Sequence, residues 1–116
     1  MLWNRKIARD DKDPDAHVFT VLKDAGSDFA KPHVVDFYLY FPEKAAAEAS
    51  AEFLAGNQFK TQVLEGATKT ESWLCLATRV MMMDTGQMRK WREFFTGLAT
   101  RAGGEYDGWE CAIVNE

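Results

Sequence analysis

Apolar and polar positions along this chain follow two different rhythms, and the changes of rhythm mark its elements. Residues 1–12 are a polar lead-in, expected to be flexible, with Arg5, Lys6, Arg9 and Lys12 set against Asp10 and Asp11. A helix is predicted from Asp13-Pro14, because aspartate caps a helix start and proline at the first helical position forfeits no needed N–H. Val18, Val21, Leu22 and Ala25 then recur at helical spacing, and Gly26 closes the segment. From His33 the period becomes two. His33, Val35, Phe37, Leu39 and Phe41 share one face of a strand and make the better core face; Val34, Asp36, Tyr38 and Tyr40 share the other.

Pro42 stops that strand, and the alanine-rich stretch Glu43–Ala55 predicts a helix with Ala46, Ala49, Phe53 and Leu54 as its buried stripe, ended by Gly56-Asn57. A short strand, Phe59–Glu65, a turn region from Gly66 to Thr70 and a longer β-rich run, Ser72–Met82, come next. Asp84 and Gln87 stand at capping-box spacing ahead of Met88, Trp91, Phe95, Leu98 and Ala102, one stripe of an amphipathic helix that Gly103-Gly104 terminates. The final strand, Glu105–Val114, is expected to put Asp107, Trp109, Cys111 and Ile113 on one face. After the first helix the order is β-α-β-β-α-β. It predicts an α+β, ferredoxin-like sandwich: a four-stranded antiparallel sheet with two helices on one face and an extra N-terminal helix, in a single domain over residues 13–116.

Composition narrows the class without naming a function. The 116 residues carry 14 Lys plus Arg against 18 Asp plus Glu, a net charge of −4, with 47% apolar residues. That length supports one core, and no apolar run approaches the ~18 residues of a membrane span. The polar start differs from a signal peptide, and two cysteines without zinc-like spacing fit a reducing compartment, so a cytoplasmic protein is expected. Net acidity disfavours a general nucleic-acid binder.

Few residues offer chemistry. His17 and His33 lack further donors at metal-ligand spacing, so no metal or other cofactor is expected and both read as surface or packing residues. Cys75 and Cys111 fall in two predicted strands that this fold can bring close enough for the thiols to meet, and they read as small buried hydrophobes. Glu48 and Glu52 lie one turn apart on a solvated helix face. No catalytic residue is expected. Tyr38 and Tyr40 project from the sheet face away from the two sheet helices, where aromatics stack single-stranded RNA in readers of this topology, unless the leading helix covers that face. Arg89, Lys90, Arg92 and Arg101 make residues 84–102 locally basic, a solvated face or a docking surface for an acidic partner.

Lys23-Asp24-Ala25-Gly26-Ser27-Asp28 near the start and Glu105-Tyr106-Asp107-Gly108-Trp109 near the end, with the elements between them, resemble the bacterial family of regulator of ribonuclease E activity B, the ribonuclease E inhibitor domain. The resemblance covers about residues 13–114. It implies a ferredoxin-like domain without a catalytic role that inhibits an endoribonuclease by protein–protein contact with the nuclease's scaffold-bearing region, and so modulates RNA decay. The motif residues that carry over are Gly26, Ser27, Asp28, Tyr106, Asp107, Gly108 and Trp109. Better-known members add a long acidic C-terminal tail, whereas this sequence ends at Glu116. Attraction to an Arg-rich partner is therefore expected from the folded surface, either from Glu43, Glu48 and Glu52 or, preferentially, from Glu105, Asp107, Glu110 and Glu116, with Glu105, Glu110, Tyr38 and Tyr40 as candidate partner-binding residues. Two other readings stay open: a small enzyme of the dimeric monooxygenase type with a cavity between sheet and helices, and a weak single-stranded RNA binder.

Overall fold

A computed structural model of the chain describes residues 14–66 and 73–115. The lead-in, the Asp13 cap, most of the Gly66–Thr70 turn, Ser72 and Glu116 lie outside the described residues. The elements are α1 (Pro14–Asp24), β1 (His33–Phe41), α2 (Lys44–Ala55), β2 (Lys60–Glu65), β3 (Trp73–Met81), α3 (Thr85–Arg101) and β4 (Glu105–Cys111). The strands form one sheet in the order β2-β3-β1-β4, and every pairing is antiparallel. This is the expected α+β sandwich with its N-terminal helix.

Alternation in β1 holds as read from the sequence. Val35, Phe37, Leu39 and Phe41 are buried beneath the helices together with His33. Register then assigns the neighbours: Cys75 and Ala77 lie opposite Leu39 and Phe37, on the helix face, whereas Leu74, Leu76, Thr78 and Val80 lie opposite Tyr40, Tyr38, Asp36 and Val34, on the other face. The interior is filled by rings. Phe37 stacks on Phe95 at 4.5 Å, Phe59 meets both edge-on, and Tyr106 stacks on Phe95 from β4. Among the described residues these rings and the aliphatic side chains around them form one continuous core between sheet and helices.

Each helix ends by the same device. Gly26 (φ +92°) and Gly103 (φ +78°) take the left-handed conformation after α1 and α3, and the amides of Ser27 and Gly104 bond back to the carbonyls of Leu22 and Ala99. In α2 the expected Gly56 remains helical, and Gln58 (φ +72°) makes the left-handed turn that lets Phe59 N–H reach Leu54 O. Asp84 caps α3 through the amide of Gly86.

Four expectations are corrected. On α2 the buried residues are Ala47, Ser50, Ala51 and Leu54; Ala49 is exposed and Phe53 is 48% exposed. Leu54 must point into the sheet, and the small Ser50 and Ala51 let the helix approach closely, so the helix is rotated away from the most apolar stripe. On β4, Tyr106 pairs with Leu39 but Trp109 with Phe37, three residues against two. Gly108 (φ +97°) forms a bulge there, which puts Tyr106, Trp109 and Cys111 on the helix face and takes Asp107 out of that row. Strand pairing stops at Cys111 instead of Val114, because the Val114 amide and carbonyl bond Ser27 Oγ and the Asp28 amide. Finally, β1 runs between β3 and β4, so Cys75 (opposite Leu39) and Cys111 (opposite Val35) are separated by two strand spacings and about 13 Å along the strand. The thiols do not meet, and both are free.

Candidate functional site

The two motif segments lie at separate junctions, each engaged within the domain. Asp15, on the first turn of α1, is buried and accepts a hydrogen bond from Trp109 Nε1 at 3.0 Å; its other oxygen faces Arg92 Nε of α3 at 3.5 Å. Phe19, one turn on, meets the Trp109 ring edge-on at 5.9 Å. Thus α1 packs beside α3 against Trp109, on the helix side of the sheet, and leaves the Tyr38 and Tyr40 face to other contacts. Tyr106 lies in the same cluster, and its phenol is pushed well above its usual range, first by burial and then by the Asp15 charge.

A second junction lies at the other end of α1. Ser27 Oγ sits 2.6 Å from His33 Nε2 and accepts the Val114 amide at 3.0 Å, while His33 Nδ1 donates to the Lys31 carbonyl. With the ring proton on Nδ1, the Ser27 hydroxyl donates to Nε2. Asp28 accepts the Ala30 amide and gives its own amide to Val114 O. Gly26, Ser27 and Asp28 therefore fasten the end of α1 to the chain beyond β4. Although a serine beside a histidine invites comparison with a nucleophile and base, this pair is knitted to backbone on both sides.

Burial pushes the Cys75 thiol up to about 11 and Cys111 to about 12, the latter with further repulsion from Asp36 and Glu110. Both remain protonated at neutral pH, unlike reactive cysteines. Among the described residues no three His, Cys, Asp or Glu side chains gather to hold a metal ion, and no helix is long and apolar enough to cross a membrane.

The candidate partner-binding residues separate. Tyr38 donates its hydroxyl to Glu110 Oε1 at 2.5 Å. Glu110 is only 5% exposed and Tyr40 only 8%, so neither presents itself to a partner as an open surface group would. Glu105, Glu43, Glu48 and Glu52 are exposed. Asp36 sits opposite Glu110 and accepts from Thr78. The margin beside Tyr38 is acidic, where stacked RNA would need cations.

Sequence reasoning missed Asp15 as an interior carboxylate. A signal was available: an indole donor in an otherwise apolar core requires an acceptor.

The model of the family described as regulator of ribonuclease activity B matches residues 12–111, a span that includes every element from α1 to the last residue of β4. The chain belongs to that family. No curated relative matches it at a significant level. Membership in the regulator of ribonuclease activity B family makes it kin to proteins described as regulators of ribonuclease activity. The Gly26–Asp28 and Tyr106–Trp109 segments of this family member are the two junctions just described.

Proposed function

We propose that the chain is a non-enzymatic regulator that binds the scaffold-bearing region of ribonuclease E and thereby modulates RNA cleavage. The observation that carries this reading is the family match over residues 12–111. Interior geometry supports it: Ser27 and His33 are tied into backbone contacts, both thiols are held protonated, and the helix–sheet space is packed with rings. On this reading the motif residues Gly26, Ser27, Asp28, Tyr106, Asp107, Gly108 and Trp109 build the binding domain and do not touch the partner.

Within the acidic group on β4, we assign the partner contact to Glu105. It is exposed at the start of an edge strand, where an extended basic segment can add backbone pairing to charge attraction. Exposed charge pairs contribute about 0.2–1 kcal/mol each, so Glu105→Lys weakens binding modestly and in a salt-dependent way. Isothermal titration of the chain with the purified C-terminal region of ribonuclease E, at low and moderate salt, tests the reading alongside a cleavage assay. Salt-sensitive binding with slowed cleavage is expected. No heat of binding together with unchanged cleavage would overturn it.

A further inference from the structure

An antiparallel sheet with one face in water ordinarily alternates apolar and polar residues along each strand. In β3 that alternation is missing. Cys75 and Ala77 face the helices, yet Leu74, Leu76 and Val80, with Thr78 among them, face the other way. Register extends this outer face to Leu64, Gln62 and Lys60 on β2 and to Tyr40, Tyr38, Asp36 and Val34 on β1. Of the large apolar residues exposed among those described, Val80 (62%), Val34 (53%) and Leu64 (44%) all stand here, and Met82 follows Val80 in the same alternation just past β3. The core residues of α1, α2 and α3 belong to the cluster on the opposite side of the sheet. Apolar residues gathered on one outer face mark a contact surface.

Charge on this face is ordered. Lys60, Thr78, Asp36 and Glu110 lie opposite one another in a row straight across all four strands. The cation of that row stands on β2 at one margin, and its carboxylates stand on β1 and β4 toward the other. Glu105, exposed at the start of β4, and Asp107, buried beside Gly108, add to the carboxylate margin. Arg79 belongs to the helix side, where its guanidinium lies over Phe59 and Trp91. A surface with opposite charges at opposite margins is complementary to itself when turned over. A two-fold axis along the strands, between β3 and β1, lays β2 over β4 of a second copy. It sets Lys60 over the second copy's carboxylate margin, Val80 over its Val34, and Leu76 over its Tyr38.

Size points to the same occupant. β1 and β3 have nine residues each, β2 six and β4 seven. At ~3.4 Å per residue and ~4.8 Å between strands, the face covers about 500 Å² in plan. Two copies bring together about 1,000 Å², the lower bound of a specific interface, so the pair is weak and reversible. A flat face four strands wide fits a second sheet packed at ~10 Å, whereas one helix of ~10 Å diameter would cover only about half of it.

We propose that two copies of this chain associate through the outer face of the sheet, with Leu74, Leu76, Val34 and Val80 at the centre and Lys60 meeting the carboxylate margin at each end. Pairing by faces leaves the outer edge of β4 open, and the inference does not depend on the ribonuclease reading.

Sedimentation equilibrium of the full chain from about 5 to about 500 µM tests it, with backbone amide shifts followed over the same range. The average mass should rise from one chain toward two with a midpoint on the order of 100 µM, and the concentration-dependent shifts should fall on β1, β2 and β3. Val80→Glu and Lys60→Glu alter outward-facing side chains, so both should keep the thermal midpoint close to the parent's. Val80→Glu should raise the association midpoint about tenfold or more, and Lys60→Glu about threefold or more. Phe53→Ser, on the helix layer, should leave association unchanged. The mass of one chain at every concentration would overturn the inference, as would a dimer that either sheet variant leaves unchanged or one that is lost with Phe53→Ser. Ribonuclease E takes no part in these measurements, so a failure of either reading leaves the other standing.

Discussion

The hydrogen bond between Trp109 and Asp15 spans most of the chain, and cutting it should show how much the two ends of the domain depend on each other. Both residues are buried, and Asp15 also faces Arg92. A hydrogen bond to a charged group is worth about 1.5–3 kcal/mol, and a buried donor left without its acceptor costs about 1–3 kcal/mol. Asp15→Ala strands the indole N–H and loosens Arg92, and should destabilise by about 2–4 kcal/mol. Arg92 is partly exposed and its contact is long, so Arg92→Gln should cost under about 1 kcal/mol. Trp109→Phe removes the donor and part of a buried ring, again at about 2–4 kcal/mol. Because Asp15 has contacts besides Trp109, single mutants cannot isolate the pair, but a double-mutant cycle can. Urea unfolding followed by far-ultraviolet circular dichroism, which does not depend on Trp109 fluorescence, should give a coupling energy of about 1.5–3 kcal/mol. Single-mutant effects that add to within about 0.5 kcal/mol in the double mutant would show that the bond does not hold α1 to β4.

Three further outcomes follow from particular positions. A Cβ on Gly104 would overlap the Tyr40 carbonyl and lie 2.5 Å from Phe41 Cδ1, so Gly104→Ala must push β1 aside and should cost about 3 kcal/mol or more by thermal or urea unfolding. Gln58 holds a left-handed conformation that glycine adopts without strain, so Gln58→Gly should raise stability by roughly 1 kcal/mol, a gain read as a higher urea midpoint. Cys75 and Cys111 hold their protons to about 11 and about 12 in the folded state, whereas an unfolded thiol loses its proton near pH ~8.5. Above that pH the unfolded chain binds fewer protons, so these thiols make stability fall with rising pH through the window up to about 12. Replacing both by alanine should flatten that alkaline slope, and an unchanged slope in pH-dependent unfolding would count against their burial.

Much of the fold was legible because its main signals are local and repeated. In β1 four alternating apolar residues, with His33 ahead of them, face the helices as their period requires, and the order of elements leaves one simple sandwich. The stripe of α3 was also readable, since Met88 and Phe95 are large enough to dictate the rotation of the helix. In α2 the signal failed. Alanines contribute little to a preference for one face, so the single large residue Phe53 dominated the pattern while the close fit of Ala47, Ser50 and Ala51 against the sheet decided the outcome. On β4 a residue was added to the count by a bulge. Gly108 announced that an irregularity was present, but not which neighbours would exchange faces.

Partner residues were harder to read for a different reason. Charge in a sequence carries no information about burial, and Glu105 and Glu110 look equivalent there. The structure separates them, because Glu110 is buried on the sheet face away from the helices and accepts from Tyr38, whereas Glu105 is exposed. The same reasoning applies to the family motif. Its two segments are the most recognisable parts of the chain, yet Ser27 bonds His33 and Val114, and Trp109 bonds Asp15. A motif so engaged reports which domain has been built, while on the proposed reading the choice of partner falls to outward-facing groups such as Glu105. Two family members can therefore share the junctions and differ in what they bind. Exchanging outer residues between them should move binding preference while leaving the unfolding midpoint nearly unchanged, since surface substitutions away from special contacts usually cost within about 0.5 kcal/mol.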